Sequence, residues 1–146
     1  MSRIERIIVI DDDPIVNFIC GQVIKKYLPG IDVSSFGLPE EGLRFIQTEY
    51  MTSPVKTVLL LDINMPTLTG WEVLDELKPM EDIIKEHLRI YIFSSSISIE
   101  DRSLSSQHPL VKCFVEKPVT RQKLIDIMMQ EHATSEISSS GSGVSL

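Results

Sequence analysis

Short runs of β-branched and apolar residues recur along the chain, at Ile7–Ile10, Ile31–Ser35, Val58–Leu61, Ile90–Phe93 and Val111–Val115. Runs this short, with little polar alternation, predict strands buried on both faces of a sheet. Between them the apolar residues fall at helical spacing. One set is Ile15, Phe18, Ile19, Val23 and Tyr27, the next Leu43 and Ile46, then Trp71, Leu74 and Leu77, and last Leu124, Ile125, Met128 and Met129. Strands alternating with helices predict βα units and a parallel sheet covered on both sides. Five such units make a doubly wound α/β fold, whose chemistry lies outside the carboxyl ends of the strands, where the strand order reverses.

Residues 1–132 are expected to form one domain. Residues 133–146, with five Ser and two Gly between Ser138 and Leu146, have too little apolar content to pack and predict a flexible tail. A length of 146 residues with 42% hydrophobic and 24% charged positions places the chain among ordinary globular domains rather than disordered ones. The net charge of −7 opposes sequence-independent binding to a phosphate backbone, so direct contact with nucleic acid is not expected. Cys20 and Cys113 sit in apolar surroundings without CxxC or Cys/His spacing, and are read as reduced core thiols. The apolar run at Ile7–Ile10 is stopped by three aspartates, too short for a membrane span or a signal core, and a cytoplasmic location is expected.

The strand ends hold the candidate chemistry. The first strand runs into Asp11-Asp12-Asp13-Pro14, the third into Asp62-Ile63-Asn64-Met65-Pro66, the fourth into Ser94-Ser95-Ser96 and the fifth into Glu116-Lys117-Pro118. Asp13 before Pro14 reads as a helix N-cap and is left out of the site. Ser98 with Asp101 reads as a capping box. What points to function is the concurrence of carboxylates, a hydroxyl and an ammonium at four strand ends. Two carboxylates about 4 Å apart repel by roughly 4 kcal/mol at an effective dielectric of 20. Asp11, Asp12 and Asp62 held together with one Lys117 leave a net charge of −2 and call for a divalent cation. An all-oxygen ligand set suits Mg2+.

In this order and spacing, these segments resemble the receiver domain of two-component response regulators, over residues 4–130. The resemblance rests on Ile7–Asp12, on Asp62–Pro66 with Gly70 eight residues after Asp62, on Ile92–Ser95 and on Phe114–Pro118. It implies a flavodoxin-like fold, a five-stranded parallel sheet of order 2-1-3-4-5 with helices on both faces, in agreement with the periodicity. It makes Asp62 the phosphoacceptor for a phosphohistidine. Asp12 would ligate Mg2+ directly, Asp11 through water, and the Asn64 backbone carbonyl would complete the protein ligands. Lys117 would pair with a phosphoryl oxygen, and the Ser94 hydroxyl would bond another once Asp62 is phosphorylated. Phe114 occupies the aromatic switch position, expected to turn from an exposed to a buried rotamer.

Implied partners are a sensor histidine kinase or a histidine phosphotransfer protein, and a downstream protein on the face of the fourth helix, fifth strand and fifth helix, roughly Ile99–Ser105, Val111–Val115 and Leu124–Met129. No output domain is expected, and the chain is expected to be a switch rather than a dedicated enzyme. Three departures stand out. Ser94 replaces the commoner Thr, Phe114 lacks the phenolic hydroxyl of a Tyr, and Lys78–Leu88 is longer and more charged than the family pattern suggests. A phosphohydrolase of the haloacid dehalogenase type would also use a strand-end Asp with Mg2+, but needs a second carboxylate where this chain has Asn64. A flavin carrier of the same fold would meet repulsion between its phosphate and Asp11–Asp13. A receiver serving only as an adaptor is disfavoured because none of the key residues is missing.

Overall fold

The computed structural model describes residues 3–134. Its strands are β1 (Arg6–Ile10), β2 (Asp32–Phe36), β3 (Thr57–Leu61), β4 (Leu88–Ser94) and β5 (Val111–Glu116). They form one parallel sheet in the order β2-β1-β3-β4-β5. Its helices are α1 (Pro14–Tyr27), α2 (Pro39–Phe45), α3 (Gly70–Leu77), α4 (Glu81–His87), α5 (Ile99–Gln107) and α6 (Arg121–Thr134). The end of α2 widens into a π-helical turn, Ile46–Tyr50. Every residue of β3 is buried, as a central parallel strand requires.

Alternation along the strands sends side chains to two cores. Ile8, Ile10, Leu59, Leu61, Ile90, Ile92 and Phe114 pack with Val73, Leu74, Leu77 and Ile84 of α3 and α4. On the other side, Ile7, Val9, Val58, Leu60, Tyr91, Phe93 and Val115 pack with Cys20 and Ile24 of α1 and with Leu124, Ile127 and Met128 of α6. Local chemistry sets the helix starts. The Asp13 carboxylate accepts from the Ile15 N–H at 2.9 Å, with Pro14 in the first turn. Thr69 with Glu72 and Ser98 with Asp101 form full capping boxes on α3 and α5.

Three features differ from the sequence-based expectations. The charged stretch after α3 forms a 3-10 turn, Lys78–Met80, and the short helix α4, with Ile84 buried beneath it. The helices expected as fourth and fifth are therefore α5 and α6. The apolar stripe that predicted α1 is mostly its outer face, with Ile15 and Phe18 each 66% exposed and Ile19 43%, while Cys20 and Ile24 face the sheet. Periodicity identifies a helix without saying which side meets the core. Finally, α6 continues to Thr134, two residues into the stretch expected as tail, and the remainder of that stretch lies outside the described residues. Among the described residues no helix is long and apolar enough to cross a membrane.

Candidate functional site

Backbone bonds just past the strand ends align the functional residues. The Asp62 N–H donates to Ile10 O at 2.9 Å, the Asp11 N–H to Phe36 O at 3.1 Å and the Lys117 N–H to Ser94 O at 2.9 Å. Each continues a strand pairing by one residue and fixes where the following side chain leaves the sheet. The Asn17 side-chain amide, one turn into α1, donates to Asp11 O at 2.8 Å. Behind Asp62, Gly70 opens α3 so tightly against the chain that a Cβ there would lie 2.5 Å from Asp62 O and 2.9 Å from Ile63 Cα. Only glycine fits, which accounts physically for its place eight residues after Asp62.

The expected residues come together. Asp11, Asp12 and Asp62 offer carboxylate oxygens that all lie within 4.8 Å of one another. Lys117 reaches between two of them, its Nζ 2.6 Å from Asp11 Oδ2 and 3.6 Å from Asp62 Oδ1. Asp11 is 1% and Asp62 4% exposed, whereas Asp12 is open to solvent. Asp11 also accepts from the Asp13 N–H at 2.9 Å, and Asp62 from the Asn64 N–H at 3.3 Å.

Burial, followed by the neighbouring Asp11 charge, pushes the Asp62 carboxyl up from 3.8 to about 6, against the opposing pull of Lys117. Burial alone would lower Lys117; its contacts with Asp11 and then Asp62 override this and leave its pKa raised, so the ammonium stays charged. One half-buried ammonium does not neutralise three clustered carboxylates. The donor set, three carboxylates with Asp12 open to solvent, fits a small hard divalent cation that keeps part of its water shell.

Ser94 and Phe114 lie where the sheet brings their strands together, but their side chains are engaged. Ser94 is 1% exposed and its hydroxyl donates to Ser96 O at 2.8 Å, closing a small turn at the end of β4. Phe114 is already buried, at 6% exposure, with the Arg102 guanidinium carbon 5.4 Å from its ring centre. The structure holds the ring inward only, so the exposed rotamer expected as a starting point is not the one present.

Sequence reading missed the parts that hold the site from outside. Lys123 of α6 donates its ammonium to Glu116 O at 2.5 Å and Pro118 O at 3.0 Å, clasping the loop that carries Lys117. Asn17 does the same for Asp11. Both contacts are to backbone carbonyls, which leave no residue-type signal in a sequence.

A doubly wound α/β sheet with clustered carboxylates and one lysine at its switch point defines a class of signalling domain. The family described as response regulator receiver domain matches residues 7–129, and the chain belongs to it. Among solved structures, it is similar to a two-component response regulator from Cytophaga hutchinsonii, with 25% identity and a TM-score of 0.80 over 90% of this chain and 99% of that one. The fold is shared with the chemotaxis protein CheY4 of Vibrio cholerae, at 17% identity and TM-score 0.69 over 87% of this chain and 98% of that one. A response regulator receiver protein from Dyadobacter fermentans gives 19% identity and TM-score 0.76 over 86% and 96%. No curated protein sequence matches the chain.

Proposed function

We propose that this receiver domain accepts a phosphoryl group on Asp62 from a phosphohistidine donor and signals by altering the face around α5. The observation that carries this reading is the Lys117 ammonium bridging Asp11 and Asp62, with Asp62 buried inside a cluster of three carboxylates. In the proposed step, an Asp62 carboxylate oxygen attacks phosphorus, the P–N bond to the donor imidazole breaks, and the imidazole leaves with the bond's electron pair. Lys117 pairs with an oxygen of the transferring group, giving up part of its hold on Asp11. Asp11, Asp12, Asp62 and the Asn64 carbonyl would hold Mg2+, which when bound neutralises charge on the phosphoryl oxygens.

Asp62 has to be ionised to attack, and burial first, then the neighbouring Asp11 charge, oppose that ionisation where no cation is bound. The donor's approach is supported by α1, whose exposed Ile15, Phe18 and Ile19 rise directly from the Asp11–Asp13 loop and offer an apolar flank for a histidine kinase or phosphotransfer domain. On the output side, Ser94 would release Ser96 O to bond the phosphoryl group, moving the turn that leads into α5. Since Phe114 is already inward, the change reaches a downstream protein through this turn, α5, β5 and α6.

The test is uptake of one phosphoryl group from acetyl phosphate, followed on a phosphate-affinity gel with Mg2+ or with chelator. Uptake with Mg2+ and none with chelator is expected. Equal uptake in both arms would remove the metal from the account, and none in either would remove the phosphoacceptor.

A further inference from the structure

The turn that begins with Ser94 is tied, at its far end, to the helix that buttresses Asp62. Trp71, next to Gly70 in the first turn of α3, donates its indole Nε1–H to Asp101 Oδ1 at 3.3 Å. The other oxygen of the Asp101 carboxylate accepts from the Ser98 N–H at 3.3 Å, and the Asp101 N–H donates to the Ser98 hydroxyl at 3.0 Å. Ser98 caps α5 and lies two residues beyond Ser96, which holds the Ser94 hydroxyl. These contacts form a chain from the phosphoacceptor's backbone to the Ser94 turn. Gly70 lies close against the Asp62 backbone, Trp71 holds Asp101, Asp101 holds Ser98, and Ser98 lies at the far end of the Ser94 turn.

We infer that the Trp71–Asp101 hydrogen bond is a latch that holds the Ser94 turn in its unphosphorylated arrangement. This rests on the phosphoacceptor reading above and adds to it a pair of positioning residues. For Ser94 to bond a phosphoryl oxygen, its hydroxyl leaves Ser96 O and the turn shifts towards Asp62. The α5 end of that turn is anchored through Asp101 to α3, and α3 cannot follow, because its first turn already rests on the Asp62 backbone at Gly70. The shift therefore strains or breaks the Trp71–Asp101 bond. A bond present in one state and absent in the other biases the equilibrium towards the first, by the bond's own net worth. Removing it favours the phosphorylated arrangement by about fivefold, the factor that corresponds to a typical net hydrogen bond.

The protein has one Trp, so the latch has a private signal. Beryllofluoride with Mg2+, a stand-in for the phosphoryl group, is titrated into the full chain while the single indole N–H resonance is followed by NMR. The titration is repeated with Trp71→Phe, which keeps an aromatic body and removes the donor, followed through backbone amide resonances. The expected result is an upfield move of the wild-type indole resonance on binding, and half-saturation in Trp71→Phe at an approximately fivefold lower beryllofluoride concentration. A merely structural Trp71 would leave the affinity unchanged or lower it, so the sign separates the two roles even if the variant melts earlier. Binding by wild type with an unmoved indole resonance, or with unchanged or weaker affinity in Trp71→Phe, overturns the latch alone. No binding by wild type overturns the phosphoacceptor reading, and the latch with it.

Discussion

Replacing Asp62 by Asn is expected to stabilise the metal-free protein, although it destroys the proposed acceptor. The Asp62 carboxyl is pushed from 3.8 to about 6, first by burial and then by Asp11. A rise of that size corresponds to roughly 3 kcal/mol of penalty on the charged form in the folded state. At pH 7 the wild type bears nearly all of it, because Asp62 is ionised both folded and unfolded. As pH falls below about 6 the folded protein takes up a proton that the unfolded chain still lacks, and the penalty shrinks until both forms are protonated below about 4. Asn has no such penalty at any pH. In chelator at pH 7, Asp62→Asn should exceed wild type by about 2–3 kcal/mol, near 10 °C in melting temperature for a domain of this size. At pH 4 the difference should have nearly closed. Charges remote from position 62 contribute equally to both curves, so the gap between them reports the Asp62 carboxylate together with its coupling to Asp11 and Lys117. Urea unfolding followed by circular dichroism across pH 4–7 provides the measurement. A variant less stable than wild type at pH 7, or a gap that does not change with pH, would refute the electrostatic description of the site. Saturating Mg2+ should narrow the gap by stabilising the wild type more.

Other substitutions probe the supports. Asp12→Ala should weaken Mg2+ binding more than Asp11→Ala, because Asp11 already shares an oxygen with Lys117 at 2.6 Å while Asp12 is free to ligate; isothermal titration of the two variants decides it, and equal affinities would contradict the division. Gly70→Ala should cost about 2 kcal/mol in urea unfolding, since its Cβ meets backbone at 2.5 Å, and should slow phosphoryl uptake by displacing Asp62; a variant as stable as wild type would contradict that close approach. Burial, in each case the largest cause, pushes the Cys20 and Cys113 thiols up to about 12, so a thiol reagent at pH 8 should label neither until the protein is unfolded, when both react.

Much of this was legible in the sequence, and what was not has a common physical cause. The strands were visible because burial on both faces demands unbroken apolar runs, and β3 is the clearest case. Asp11, Asp12, Asp62 and Lys117 could be grouped because a parallel sheet delivers every strand end to one edge, which makes neighbours of three strand ends far apart in sequence. The outward stripe of α1 was not legible as outward, since Ile15, Phe18 and Ile19 have the spacing of a core face. Helix α4 was obscured by Glu81, Asp82, Lys85 and Glu86, whose solvated face leaves Ile84 as its one buried residue. Contacts such as Lys123 on Glu116 O and Trp71 on Asp101 join elements through geometry that no local pattern announces. The state of Phe114 is a rotamer, and composition carries no rotamers.

The central claim is that Asp62, and no other side chain, becomes the acyl phosphate. The most direct measurement is reductive trapping: the protein is treated with acetyl phosphate and Mg2+, reduced with borohydride to convert an aspartyl phosphate to homoserine, digested, and sequenced by mass spectrometry. The account predicts homoserine at position 62 alone, and none in Asp62→Asn or in chelator. Homoserine at position 11 or 12 instead, or unchanged aspartate at position 62 in protein that has gained a phosphoryl group, would contradict it.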